Sequence, residues 1–249
     1  MPGVRLEHRQ REYRVRLEWG ATGVELLADE CAAVIVIDVL SFCTSVDIAV
    51  GRGAAVLPQR WGDRAAAVSE ATALGALPAG PRSGPGPSLR PSSLLELSAG
   101  TRLALPSPNG GTLCAIAADR GAAVFAGCLR NASAVAAAAE RAAAAGGSIG
   151  LVPAGERWPD GTLRVAAEDL IGAGAIAAAL PASFRSPEAE LAAALHAAAQ
   201  ARGLGAVLAG LGSGRELIAD GFGPDVALAA AQDTSTAVPR LRGGLLGAT

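Results

Sequence analysis

Lysine is missing from this sequence, and all 21 of its basic residues are arginine. A chain without lysine cannot use a lysine Schiff base, a P-loop lysine or a lysine general base. The 23 acidic residues give a formal net charge of -2, so the chain lacks the concentrated positive charge that a general nucleic-acid binder needs. We therefore expect no nucleic-acid partner.

Cysteine and histidine are too few and too scattered for several other kinds of site. The four cysteines form no CxxC pair, which argues against a disulfide framework or a zinc site and indicates reduced cytosolic thiols. With only His8 and His196 in the chain, a Ser-His-Asp triad has poor support.

Long apolar segments are also missing. No run approaches the ~20 apolar residues of a membrane-spanning helix, and the polar N-terminal stretch has no apolar region typical of a signal peptide. We expect a soluble, cytoplasmic protein with no membrane partner.

Small apolar residues dominate what is present. Alanine supplies 58 residues, and 51% of the chain is hydrophobic, so a sizeable core can form from small side chains with closely packed helices. A GC-rich coding sequence would favour alanine and arginine as well. Alanine-rich helix faces also allow close packing between subunits, which makes a homodimer a reasonable expectation.

Short apolar runs alternate with alanine-rich stretches along the chain. This alternation predicts an α/β fold with a mainly parallel or mixed sheet flanked by helices in α/β/α layers. No linker divides residues 1–249, so we predict one domain, and two lobes with a cleft between them stay an alternative.

The predicted strands are 13–19, 32–40, 54–57, 102–105, 122–125, 148–152 and 206–211. The predicted helices are 20–28, 44–50, 63–74, 110–119, 132–145, part of 163–180, 186–201 and 212–219. A loop rich in proline, glycine and serine is predicted over 77–91, and loops of this length are often functional.

Ligands of open parallel sheets bind at the loops beyond the carboxyl ends of the strands. Here those loops carry small hydrogen-bonding residues, acids and arginines. If the strands are parallel, the loops meet at one edge and suit a substrate with two anionic groups. The candidate substrate-binding residues are Ser41, Thr44, Ser107, Asn109, Gly110, Cys128, Asn131, Ser133, Arg157, Ser213 and Arg215.

Two asparagines begin predicted helices, Asn109 before Gly110 and Asn131 before Ala132. Free N–H groups at a helix N-terminus form an anion cradle. Asparagine is also an ordinary helix cap, so each loop alone has a purely structural alternative.

Three acids are the candidates for catalysis and for a metal. Asp38 ends the most apolar strand, where a carboxylate is costly unless it binds a cation, an arginine or several N–H donors. It is a candidate Mg²⁺ ligand or nucleophile, with a cap on the helix near Ser41 as the alternative. Glu168 and Asp169 form an isolated acidic pair in an apolar helix, and carboxylates suit Mg²⁺ better than zinc.

Taken together, these motifs resemble the 2-phosphosulfolactate phosphatase family, whose namesake activity makes sulfolactate during coenzyme M synthesis. The resemblance spans about residues 34–241, and its order and spacing are more specific than any single motif. It rests on the segments 36–40, 107–110, 127–135, 154–157, 168–176, 214–217, 221–222 and 225–226. It implies an α/β fold, Mg²⁺ dependence, and hydrolysis of a phosphate monoester on a small sulfonated or carboxylated hydroxy acid.

The sequence departs from the family's pattern at two places. Ser41 stands where the family commonly has arginine, and residues 79–84 replace a Gly-Glu-Arg-Gly-Gly segment without its acid. These departures leave the reaction class better supported than the substrate. They also motivate an alternative function, a catalytically inactive member that binds an anionic metabolite. A nucleotide-binding oxidoreductase has weak support, because no glycine fingerprint follows the first buried strand.

The hypothesis from sequence is therefore a Mg²⁺-dependent phosphatase acting on a small anionic phosphate ester. Asp38, Glu168 and Asp169 are expected to form the acidic metal site. The asparagine loops are expected to hold the anions, with Arg157 and Arg215 neutralising charge.

Overall fold

The computed structural model describes residues 5–118, 120–144 and 146–249. The strands are β1 (Val15–Leu17), β2 (Ala33–Ile37), β3 (Ala55–Arg60), β4 (Leu77–Pro78), β5 (Arg102–Ser107), β6 (Ala123–Gly127), β7 (Ile149–Pro153), β8 (Glu156–Arg157), β9 (Leu163–Arg164), β10 (Arg240–Arg242) and β11 (Leu245–Gly247). The helices are α1 (Gly20–Glu30), α2 (Phe42–Gly51), α3 (Arg64–Ala73), α4 (Gly110–Ala117), α5 (Ala132–Ala142), α6 (Ala167–Ala178), α7 (Pro187–Ala201), α8 (Leu204–Gly210), α9 (Gly212–Ala219) and α10 (Gly223–Ala229). Single 3₁₀ turns lie at Glu7–Arg9, Pro91–Leu94, Leu129–Asn131 and Ala182–Phe184.

Over the described ranges, nine strands form one mixed sheet in the order β1-β7-β2-β6-β10-β11-β3-β5-β4. This confirms the predicted fold class, an α/β protein with a mixed sheet. β1, β7, β2 and β6 pair in parallel, as do β3, β5 and β4. The hairpin β10–β11 lies between these two groups and pairs antiparallel with each neighbour. The two groups therefore run in opposite directions, and the expectation that parallel strands bring every loop to one edge is wrong.

The sheet curves strongly along its width. Five strand spacings separate β2 from β5, which is about 24 Å in a flat sheet. Yet the amide of Gly110, just after β5, donates to the carboxylate of Asp38, just after β2, at 2.8 Å. Curvature thus brings the ends of two distant strands together, where strand direction alone would not.

Two apolar cores lie on opposite faces of the sheet. On one face, Ile35 and Ile37 of β2 join Leu151 of β7 beneath α5, α6 and α7. On the other face, Val34 and Val36 pack with residues of α1, α2, α4, β3 and β5. Because β2 is buried on both faces, its sequence is continuously apolar, as expected of a central parallel strand.

Helices α6 and α7 pack closely across small residues. A Cβ added at Gly174 of α6 would lie 2.6 Å from the backbone carbon of Ala192 in α7. In the part of the chain that the structure describes, no helix by itself has the length and apolarity to cross a membrane. Only α7 and α8 taken together meet those two criteria, and they are bent by 105°.

Several predicted elements are corrected by the structure. The predicted strand 206–211 is wrong, because these residues fall in helix α8 and its end. The long predicted stretch 163–180 begins with strand β9 and becomes helical only at α6. The prediction has no counterpart to β8, α10, β10 and β11, and β4 lies within the predicted loop 77–91. The predicted ends of two helices, Asp119 and Ala145, lie outside the described residues.

Candidate active site

Asp38 lies buried where β2 ends. Its Oδ1 accepts a hydrogen bond from the amide of Phe42 at 3.1 Å, and its Oδ2 accepts one from Gly110 at 2.8 Å. These amides begin α2 and α4, so one carboxylate faces the positive ends of two helices. Burial raises the pKa of Asp38, with a smaller contribution from the charge of Glu168, while the two amides and Arg82 oppose the rise. The cap on α2 is therefore real, and the same carboxylate also binds α4.

Asp169 joins two loops of the same site. Its Oδ1 accepts from the amide of Val39 at 2.8 Å, and its Oδ2 accepts from Gly155 at 2.9 Å. These amides lie just beyond β2 and β7, so Asp169 fixes the loops that follow two neighbouring strands. Burial raises the pKa of Asp169 well above its ordinary range, and the charges of Asp38 and Glu168 add to the effect. Glu168 is itself only 3% exposed.

Glu156 is a fourth carboxylate of this site, and the sequence reasoning gave it no role. Its Oε2 accepts from Nδ2 of Asn109 at 2.8 Å. Burial, followed by the charge of Asp38, raises the pKa of Glu156 to about 7. Glu156 pairs across the β8–β9 hairpin with Arg164, whose Nη2 donates to Oγ of Ser213 at 2.8 Å.

The four carboxylates interact electrostatically, since Asp38 and Glu168 raise the pKa of Glu156 and of Asp169. Their oxygen donors suit a hard cation such as Mg²⁺, which would relieve this repulsion. Across residues 5–118, 120–144 and 146–249, however, no three Asp, Glu, His or Cys side chains converge as a metal-binding group. Mg²⁺ commonly uses one or two carboxylates together with water and substrate phosphate. The donor set therefore fits Mg²⁺ in that mode.

Arg82 provides positive charge at the site and was also missed. It lies in the 79–90 loop, and its Nη1 donates to Oγ of Ser41 at 3.4 Å. Burial lowers the pKa of Arg82, while the charges of Asp225, Asp38 and Glu156 oppose that change. A proline- and glycine-rich loop of this length with two arginines, Arg82 and Arg90, was the only available signal.

Some of the predicted substrate-binding residues surround Asp38. Ser41 is buried beside Arg82, and Thr44 uses its hydroxyl to donate to the carbonyl of Val39 at 2.8 Å. The Ser107 hydroxyl accepts from the amide of Asn109 at 3.2 Å. These positions are compatible with substrate binding, although several of their polar atoms already have protein partners.

Others have structural contacts or lie at the surface. Asn131 accepts from the Cys128 amide and donates to the backbone of Ala126 and Ala237. Burial raises the pKa of the Cys128 thiol to about 12, so this cysteine is not a thiolate at neutral pH. Asn109 and Asn131 occupy the N-cap positions of α4 and α5 as predicted, but neither side chain accepts a hydrogen bond from its own helix. The Asn131 side chain instead completes the capping box of the preceding 3₁₀ turn.

The polar residues further along the chain are less closely associated with Asp38. Ser133 binds Asp233 through both its amide and its hydroxyl, at 2.9 Å each. Arg157 is exposed and donates to backbone carbonyls, and Arg215 is exposed on α9. Ser213 accepts from Arg164. Their roles in substrate binding stay predictions.

Two pockets lie near the site, one lined in part by Glu156 and the other in part by Arg82. One, of about 220 Å³, is lined by Asn109, Glu156 and Arg157 together with Trp19 of the β1–α1 junction. The other, of about 350 Å³, lies between α3 and the 79–82 segment and includes Arg82 in its wall. The smaller pocket thus reaches Glu156, and the larger one reaches Arg82.

Comparison with known families shows which family the chain belongs to. A family model described as 2-phosphosulpholactate phosphatase matches residues 24–244, nearly the whole chain. The chain belongs to the 2-phosphosulpholactate phosphatase family. Among curated proteins, no sequence matches it. Family membership confirms the resemblance drawn from the motifs and supports a phosphatase, a hydrolase of phosphoric monoesters.

Proposed function

We propose that this protein is a Mg²⁺-dependent phosphatase that hydrolyses the phosphate monoester of a small sulfonated or carboxylated hydroxy acid. The proposal depends chiefly on the position of Asp38, a buried carboxylate held by the first amides of α2 and α4. Phosphoryl transfer needs mainly positioning and charge stabilisation, and this site supplies fixed donors and acids for both.

Each acid has a separate contribution in this proposal. Asp38 and Glu168 would hold the cation, and Asp169 positions Asp38 by fixing the Val39 amide next to it. The Oε1 atom of Glu156 is not bonded to Asn109, and it would carry the proton that the leaving alkoxide needs. Bound Mg²⁺ would supply charge neutralisation for the phosphoryl oxygens.

The direct test is phosphate release from purified protein on a panel of phosphate monoesters, with Mg²⁺ or with EDTA. We expect release with Mg²⁺ and its loss in EDTA, restored by added Mg²⁺. Asp38→Asn should lose at least ~10²-fold in kcat, while circular dichroism reports an unchanged fold. Activity that ignores EDTA, or no release on any ester, would contradict the proposal.

A catalytically inactive member that binds an anionic metabolite is the second candidate. Two observations favour it: no three acidic, histidine or cysteine side chains within the described ranges form a metal-binding group, and backbone amides already occupy both oxygens of Asp38 and of Asp169. Thermal stabilisation by hydroxy acids without any phosphate release would support this candidate over the enzyme.

A further inference from the structure

Arg82 faces an aromatic ring and lies in a loop that Arg90 braces. Its guanidinium carbon lies 5.7 Å from the centre of the Phe222 ring, and that of Arg90 lies 5.8 Å from the same ring. Arg90 fixes the loop from within, donating to the Gly84 carbonyl at 3.1 Å and to the Ser88 hydroxyl at 3.3 Å. Arg82 and Arg90 thus share one aromatic ring, and the Arg90 hydrogen bonds brace the loop that carries both.

The hydrogen-bonding capacity of Arg82 is mostly unused. A guanidinium has five N–H donors, and the contact with Ser41 at 3.4 Å is long and engages one of them. In the described part of the chain, no carboxylate forms a salt bridge with Arg82. A half-buried guanidinium without a paired anion is costly, so this arrangement favours a ligand that brings negative charge.

The nearby Asp225 does not fill that role. Its Oδ1 accepts from the amide of Ser92 at 2.7 Å, which fixes the end of the loop against α10. Its buried Oδ2 has no hydrogen-bond partner among the described residues, Arg82 included. The charges of Asp225 and Asp38 therefore attract the Arg82 guanidinium, but neither carboxylate forms a salt bridge with it among the described residues.

Arg82 lies between the loop after Asp38 and the 350 Å³ pocket, and this position indicates what kind of ligand it could bind. On one side, its contact with Ser41 brings it to the loop that begins at Asp38. On the other, it forms part of the wall of the 350 Å³ pocket, whose other walls include Leu89, Leu105 and Pro106 and two further arginines, Arg60 and Arg64. A molecule whose phosphate lies near Asp38 and whose organic part lies in this pocket would therefore extend past Arg82.

We propose that Arg82 binds the second anionic group of the substrate, a carboxylate or a sulfonate, while the organic part lies in the adjoining pocket. This inference rests on the proposed phosphatase function. It makes Arg82 the residue that selects doubly anionic phosphate esters over simple ones, because its planar donors match an oxyanion group in two-point contact.

The test compares three esters on the wild type and on Arg82→Gln. Phenyl phosphate has no second anion, 2-phospholactate has a carboxylate, and 2-phosphosulfolactate has a carboxylate and a sulfonate. For Arg82→Gln we expect kcat/KM to fall on the order of 10- to 100-fold with the anionic esters, mainly through KM, and to change little with phenyl phosphate. A loss confined to 2-phosphosulfolactate identifies the bound group as the sulfonate, and a loss with both esters identifies the carboxylate.

Two control variants separate this role from loosening of the loop and from net charge. Arg90→Gln weakens the loop without removing Arg82, and Arg102→Gln removes an exposed charge at the start of β5. A selective loss in Arg90→Gln should be smaller than that in Arg82→Gln, because the Arg82 guanidinium is still present. Equal losses on all three esters in Arg82→Gln, or the same selective loss in Arg102→Gln, would overturn the inference and leave the phosphatase proposal intact.

If the wild type releases no phosphate, binding decides the matter separately. Calorimetric titration with sulfolactate should then show binding to the wild type and at least ~10-fold weaker binding to Arg82→Gln. Equal affinities, or no binding to the wild type, would refute the role of Arg82.

Discussion

Glu156 is a carboxylate of this site whose raised pKa lies near neutral pH. Its pKa is raised to about 7 because burial and the charge of Asp38 disfavour the ionised form. In the unfolded chain the same group titrates near 4.5. Between these values the folded protein binds one proton more than the unfolded one, so this group's contribution to stability is full below about pH 4.5 and declines as pH rises through 7.

Substituting Glu156 by glutamine should remove this pH dependence. Glutamine keeps an oxygen to accept from Asn109 but cannot ionise. We expect Glu156→Gln to gain stability relative to the wild type as the pH rises from 5 to 8 in EDTA, measured by urea unfolding. Glu216→Gln, at an exposed position of α9, should show no such trend. Parallel curves for wild type and Glu156→Gln would contradict the raised pKa.

Individual residues differ in how far sequence reveals their roles. Asp38 was identifiable because a carboxylate follows five apolar residues, and Asp169 because it interrupts an apolar helix. Arg82 was not identifiable, since its importance arises from contact with Ser41, 41 positions away in the chain. Nothing in the sequence indicates the raised pKa of Glu156, because that pKa depends on burial and on the nearby charge of Asp38, and both arise only in the folded chain.

At the scale of elements, the packing of α6 on α7 depends on Gly174. An added Cβ would overlap the carbonyl oxygen of Ala192 and lie 2.8 Å from Cβ of His196. We expect Gly174→Ala to destabilise the protein by about 1–3 kcal/mol, measured by urea unfolding, because the steric overlap outweighs alanine's better helix propensity. Gly205→Ala in α8 meets nothing within 4 Å and should be neutral or up to about 1 kcal/mol stabilising. Equal effects of the two variants would show that the close packing is unimportant.

Elements were predictable where local signals agreed. The helix predicted over 186–201 begins as expected, with Ser186 at its N-cap and the Ser186 hydroxyl accepting from the Ala189 amide at 3.2 Å. The predicted strand at 206–211 is a helix because a short apolar run fits either structure, and contacts elsewhere in the fold decide between them. The β10–β11 hairpin had a readable signal that was not used, since Gly243 and Gly244 both have the positive φ of its two-residue turn.

At the scale of the whole molecule, the β10–β11 hairpin decides how the two parallel groups of strands are related. Its antiparallel pairing to β6 and to β3 reverses the direction of the second group. The β10–β11 hairpin comes last in the sequence but lies in the middle of the sheet. The alternation of strands and helices along the sequence therefore does not predict where the hairpin pairs. The meeting of Gly110 with Asp38 therefore could not be derived from strand order.

Leu246 tests whether this hairpin stabilises the sheet as one unit. Its side chain is fully buried, and it pairs with Val56 where β11 meets β3. Leu246→Ala should cost about 2–5 kcal/mol through lost burial and a cavity, whereas Leu191→Ala, 71% exposed on α7, should stay within about 0.5 kcal/mol. Because the hairpin touches both groups, hydrogen exchange should quicken in β2 and in β3 alike. Faster exchange in β3 and β5 alone would mean that the two groups of strands unfold independently and that the hairpin does not couple them.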